Sequence, residues 1–133
     1  MPKTLAKTKA TIKSKATTSI AEAEKLAELF SALAEPTRIR LLSLLLQNGE
    51  TCVCDLVDAT GLEQTNVSRH LAKLRTVGLI SGRKSGLWVY YSIMNAEDGM
   101  QESVLELIEQ AAGKLPGLKL DLVKLKACNC ETC

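Results

Sequence analysis

The chain has 133 residues, 46% of them apolar and 3% aromatic, with a formal net charge of +2. This suits one soluble globular domain with a core of Leu, Val, Ile and Ala, and no apolar run approaches the roughly 20 residues a membrane helix needs. The small net charge hides an asymmetry: residues 1–19 carry Lys3, Lys7, Lys9, Lys13 and Lys15 and no acid, while the remainder carries 12 bases against 15 acids. A basic arm on an acidic body points to a polyanionic partner.

Taken in chain order, residues 1–19 alternate Lys, Thr, Ala and Ser without an apolar face and read as a disordered arm. The arm has no apolar stretch before a cleavage site, so the expected location is cytoplasmic. Helical periodicity begins near Ala21, with Ala23, Leu26, Ala27, Phe30 and Leu33 on one face and Ser19 as the expected N-cap. Pro36 suits the first turn of a second helix, which Asn48-Gly49 ends. Ile39, Leu41, Leu42, Leu44, Leu45 and Leu46 make that helix apolar almost all round, so it is predicted to be central and buried.

A short helix, roughly Cys54 to Thr60, ends at Gly61, and a longer one runs from about Gln64 to Val77. Two helices joined by a glycine-containing turn make a helix-turn-helix. Leu79–Lys84 and Leu87–Ile93, separated by Ser85-Gly86, read as a β-hairpin with Arg83 and Lys84 at its tip. A last helix is expected from Ala96 to Ala112, with Val104, Leu105, Ile108 and Ala111 on its apolar stripe. Residues 118–127 fit a helix or an extended segment equally. The domain plan is an arm over 1–19, a mainly α winged helix-turn-helix with a small β-hairpin (α+β) over 20–112, and a cysteine-containing tail over 113–133.

In the helix from Gln64, Val67, Leu71 and Leu74 fall at i, i+4 and i+7 and face the core. Gln64, Thr65, Asn66, Ser68, Arg69 and Lys73 take the other side. Their side chains can read base edges and hold phosphates, Arg69 by a bidentate grip on guanine. His70 lies on the boundary and suits either a phosphate contact or a half-buried structural role. Arg83 and Lys84 add basic charge from the hairpin. Double-stranded DNA is therefore the expected partner. A nucleophile–base set, a Gly-rich phosphate loop and a paired-carboxylate cleft are all missing from the sequence, so no enzyme activity is expected.

The five cysteines form two groups, Cys52-Val-Cys54 and Cys128-Asn-Cys130-Glu-Thr-Cys133. Their odd number and tight clustering suit capture of thiophilic metal ions or redox chemistry rather than a disulfide framework. Residues i and i+2 of a helix point about 200° apart, so Cys52 and Cys54 can share an ion only where the chain is extended or unwound. Asp55 and Asp58 read as complements to a helix dipole rather than as ligands. Oxidation by disulfide or polysulfide formation is the alternative trigger, more naturally between one of this pair and a tail cysteine. A third reading is a metal-carrying module whose fold serves protein contacts, which the basic helix argues against.

Leu33-Ala-Glu-Pro-Thr-Arg-Ile-Arg-Leu-Leu42, Cys52-Val-Cys-Asp-Leu56, Val67-Ser-Arg-His-Leu71, Leu74-Arg-Thr-Val-Gly-Leu-Ile80 and Gly86-Leu-Trp-Val-Tyr-Tyr91 together resemble the ArsR/SmtB family of metal-responsive repressors. The resemblance covers residues 20–112. It implies a homodimer built from the first and last helices, with two recognition helices in successive major grooves of an inverted repeat. It also implies that Cys52-Val-Cys54 is a thiolate metal box and that arsenite or antimonite is the inducer, with cadmium, lead or zinc as alternatives. The last helix lacks the histidine of the family's other zinc site. A third cysteine of the arsenite box is replaced by Val57, so either Cys128, Cys130 or Cys133, from the same or the partner protomer, completes the ligand set, or the three tail cysteines bind an ion by themselves.

Overall fold

The computed structural model describes residues 16–95 and 99–128, with only the backbone described for 16–18. Nearly all of the arm, the Ala96–Asp98 start of the expected last helix, and Cys130 and Cys133 lie outside the described residues. Two compact units divide at Ser31 and Ala32. Helix α1 (Ala16–Leu33) begins before Ser19, the expected N-cap, which lies inside it. Thr and Ser cost only tenths of a kcal/mol in a helix, so the run ahead of Ala21 contains no breaker.

Helix α2 (Pro36–Asn48) has Pro36 at its start, and Gly49 follows it at φ 84°. Its cap is Glu35, whose Oε1 accepts from the backbone N–H of Thr37 at 2.8 Å and of Arg38 at 3.2 Å. Leu41, Leu42, Leu44 and Leu45 are fully buried, which makes α2 the central helix. Each such leucine contributes about 1.5–3 kcal/mol.

Strand β1 (Thr51–Cys52) leads into helix α3 (Val53–Thr60), which Gly61 ends in the left-handed region at φ 74°. Helix α4 (Gln64–Thr76) follows and packs on α2 and α3 through Val67, Leu71 and Leu74, all fully buried. Strands β2 (Ile80–Ser85) and β3 (Trp88–Ile93) form the hairpin, in register from Ile80↔Ile93 to Ser85↔Trp88. Gly82 lies under the Tyr91 ring, where a Cβ would sit 2.9 Å from a ring carbon.

The sheet has three strands in the order β1-β3-β2, where only a hairpin was expected. Thr51 pairs with Tyr91 and Cys52 with Tyr90. Two residues are too few to show a period of two, so β1 has no signature of its own in sequence.

Helix α5 (Gly99–Lys114) buries Leu105, Ile108 and Ala112. Residues 116–127 form a sixth helix, α6 (Pro116–Ala127), packed on α2, α3 and α5. Leu118, Asp121 and Leu125 are its buried stripe. Asp121 accepts Arg40 Nε at 2.7 Å and Nη2 at 2.9 Å, and the same guanidinium donates to the Thr60 carbonyl at 3.2 Å. One arginine thus joins α2, α6 and the last turn of α3. Among the described residues no helix is long and apolar enough to cross a membrane.

Candidate nucleic-acid interface and thiol cluster

The outer face of α4 carries Gln64, Thr65, Ser68, Arg69 and Lys73, all exposed, with Asn66 half-buried beside them. Arg69 Nη2 donates to Asn66 Oδ1 at 2.7 Å, which orients the guanidinium along the helix surface. The N-cap of α4 is the exposed Glu63, whose side chain makes no cap hydrogen bond, so no side chain takes up the N–H groups of the first turn. Amide side chains, hydroxyls and bases on one 13-residue helix make a surface for groove edges and phosphates.

His70 turns away from this face. Its side chain is 14% exposed, with Nδ1 3.2 Å from Arg38 Nη1 and 3.9 Å from Glu35 Oε1. Arg38 Nε also donates to the Ala32 carbonyl at 2.6 Å. His70 therefore ties α4 to the start of α2. Burial works to raise the Glu35 carboxyl, but the N–H groups of Arg38 and Thr37 and the charges of His70 and Arg38 outweigh it and hold it below the ordinary range.

On the hairpin, Lys84 is exposed. Arg83 is exposed as well but engaged: Nε and Nη2 donate to Glu50 at 3.0 and 2.9 Å, and the guanidinium lies 4.9 Å from the Tyr90 ring centroid. Of the expected DNA contacts, His70 and Arg83 already have protein partners. That information was out of reach of sequence, because Glu35 and Glu50 lie 35 and 33 residues away.

Cys52 and Cys54 meet where the chain is extended, the condition their spacing sets. Cys52 ends β1 and occupies the N-cap position of α3 in extended conformation, φ −72° and ψ 145°, while Cys54 sits in the first turn. The chain bends between them and the Sγ atoms lie 2.9 Å apart. No unwinding of α3 is needed to bring them together. Cys52 is buried and a free thiol.

Helix α6 delivers Cys128 to α3. Its Sγ and one carboxylate oxygen each of Asp55 and Asp58 all lie within 4.8 Å of one another. Burial, then the charges of Asp58 and Asp55, push the Cys128 thiol above its ordinary range. The thiol donates to the Lys124 carbonyl at 3.3 Å. From sequence both aspartates read as complements to the α3 dipole, and their distance from Cys128 along the chain hides the encounter. Sequence reasoning also passed over Asp121, whose signal was an acid at a position where helical spacing from Leu118 and Leu125 requires an apolar residue.

Comparison with known proteins adds four findings. Residues 35–81 match the family model described as bacterial regulatory protein, arsR family. An uncharacterised HTH-type transcriptional regulator of Methanocaldococcus jannaschii is 37% identical over 87 residues, 65% of this chain and 94% of that one. The arsenical resistance operon repressor of Escherichia coli K12 is 48% identical over 66 residues, half of this chain and 56% of that protein, so the likeness spans little more than half of its length. Among solved structures, the homodimeric winged helix-turn-helix DNA-binding domain Mb0332 of Mycobacterium bovis superposes with a TM-score of 0.62 at 28% identity, covering 77% of this chain and 92% of that one.

Proposed function

Because this chain belongs to the arsR family of bacterial regulatory proteins, a family of DNA-binding transcription regulators, we propose that it is a homodimeric repressor released from its operator by arsenite or antimonite. The observation that carries the reading is the Cys52–Cys54 pair, held 2.9 Å apart at the start of α3. Two preset sulfurs suit a thiophilic ion, and arsenite takes three thiolates, so a tail cysteine completes the set. The E. coli repressor's role in arsenical resistance supports this choice of inducer over cadmium, lead or zinc.

DNA reading falls to α4, with Arg69 on base edges and Lys73 and Lys84 on phosphates. The homodimer of the M. bovis domain supports a two-fold arrangement, with α4 of each protomer in successive major grooves of an inverted repeat. The apolar stripe of α1 and the exposed Met100 and Leu107 of α5 supply apolar surface for the protomer contact. Coupling is short: Cys52 caps α3, and α3 packs on α4. Rearranging the thiols around an ion shifts α3 and with it the reading helix.

A second reading, release by oxidation at Cys54, is favoured by the same close approach of two sulfurs. The same sulfur cannot be both disulfide and thiolate ligand, so the two triggers exclude each other at this residue. Fluorescence anisotropy of the reduced dimer on its own upstream inverted repeat separates them. Arsenite should release wild type and fail on Cys52→Ser/Cys54→Ser. Release by an oxidant alone, with no response to arsenite, cadmium or zinc, would establish the redox reading instead.

A further inference from the structure

We propose that Asp55, Asp58 and Cys128 form a second metal site, of mixed carboxylate and thiolate character and suited to zinc- or cadmium-class divalent ions, at the seam where α6 packs on α3. The site shares no ligand with Cys52 or Cys54, and with Cys128 assigned here the third arsenite thiolate of the proposed function falls to Cys130 or Cys133.

Three ligand atoms from two helices lie within 4.8 Å of one another. Ligands around a tetrahedral zinc sit about 3.3–3.8 Å apart, so side-chain shifts of about 1 Å close the set. Asp55 and Asp58 are i and i+3 on α3 and share a face. Cys128 is placed by the helix end: it is the C-cap of α6, its N–H donates to the Leu125 carbonyl, and the Arg40–Asp121 pair ties α6 to α2.

A second observation is independent of this convergence. Asp55 Oδ1 is buried and has no hydrogen-bond partner among the described residues. A buried carboxylate oxygen without a donor is costly, and complementing the α3 dipole does not remove the cost. Two carboxylates this close repel each other and would repel a thiolate beside them, which a cation reverses.

The donor set selects the ion. Arsenite requires thiolates, whereas zinc and cadmium accept sulfur and oxygen together. Binding breaks the Cys128 S–H bond and forms a metal–sulfur bond, and the proton leaves to water. Three protein ligands leave one tetrahedral position for water or a further donor. The bound ion ties the end of α6 to α3.

Cobalt(II) titration of the reduced full-length protein tests this, because a coordinating thiolate gives a charge-transfer absorption band. The band should persist in Cys52→Ser/Cys54→Ser and vanish when Cys128→Ser is added to that background. Asp55→Asn/Asp58→Asn in the same background should weaken binding at least about tenfold, with zinc competing in the parent. Circular dichroism confirms that each variant is folded. A band that survives Cys128→Ser, ignores both asparagine substitutions, or is lost with Cys52 and Cys54 would overturn the assignment. Loss of arsenite response with this cobalt pattern intact would refute the proposed inducer and leave the second site standing.

Discussion

The reading helix and the α3–α6 seam are built on opposite principles. All the side chains of the α4 face come from one run of 13 residues, and a single period of 3.6 sorts them into Val67, Leu71 and Leu74 inside and Thr65, Ser68, Arg69 and Lys73 outside. The seam gathers residues 52–58 and residue 128 by strand pairing at one end and an α6–α3 contact at the other. A surface that must meet a regular polymer can be written on one regular element. A site that must enclose an ion needs ligands from several directions, and no single helix supplies them.

The largest effect that would sharpen this contrast lies in the seam. Arg40→Met leaves the Asp121 carboxylate buried without its partner and should destabilise the fold by about 3 kcal/mol in urea unfolding. Asp121→Leu alongside it should recover most of the loss, because a packed apolar pair replaces an ion pair. If the single variant unfolds like wild type, α6 is not held by this pair.

On the reading helix the expectation is reversed. Arg69→Ala should leave stability unchanged and cost roughly 1–3 kcal/mol of operator binding, with relaxed base preference, measured by anisotropy on matched and mismatched sites. Unaltered affinity would remove Arg69 from the reading face.

A smaller effect, where the start of α2 meets α4, depends on pH. The Glu35 carboxyl is held below its ordinary range in the folded protein, so it contributes stability above its unfolded pKa and loses it as pH falls through the folded value. Glu35→Gln should therefore lower Tm at neutral pH, and the gap from wild type should close on acidification through that range. A gap that stays constant with pH would mean the cap acts without its charge.

The smallest effect tests whether Arg83 is available to DNA. Its partner Glu50 is exposed, and exposed pairs contribute little to stability. Glu50→Gln should leave Tm in place and tighten DNA binding slightly, most visibly at low salt, where phosphate contacts are strongest. Unchanged affinity at every salt concentration would take Arg83 out of the interface.

Much of the fold was legible in sequence because its signals are local. Gly61 and Gly86 mark turns where φ is positive, Pro36 opens α2, and period 3.6 separates the two faces of α4. Strand β1 was not legible, since two residues carry no period and Cys52 acquires its extended conformation by pairing with Tyr90. That pairing also decides that Cys52 and Cys54 meet, where helical geometry alone would hold them apart. Residues 118–127 were ambiguous because Leu alternating with Lys or Asp fits both periods. Packing against α2 and α3 and the Arg40–Asp121 pair resolve them as a helix.

The sequence by itself therefore determined most of the helices, the hairpin, the two faces of α4 and the presence of two cysteine groups, all properties of neighbours along the chain. Only the tertiary structure decided which of those groups come together. Cys128 reaches Asp55 and Asp58 because α6 folds back on α3, an encounter more than 60 residues apart in sequence, set by the burial of Leu118 and Leu125 and by the charge pair that Asp121 makes beneath them.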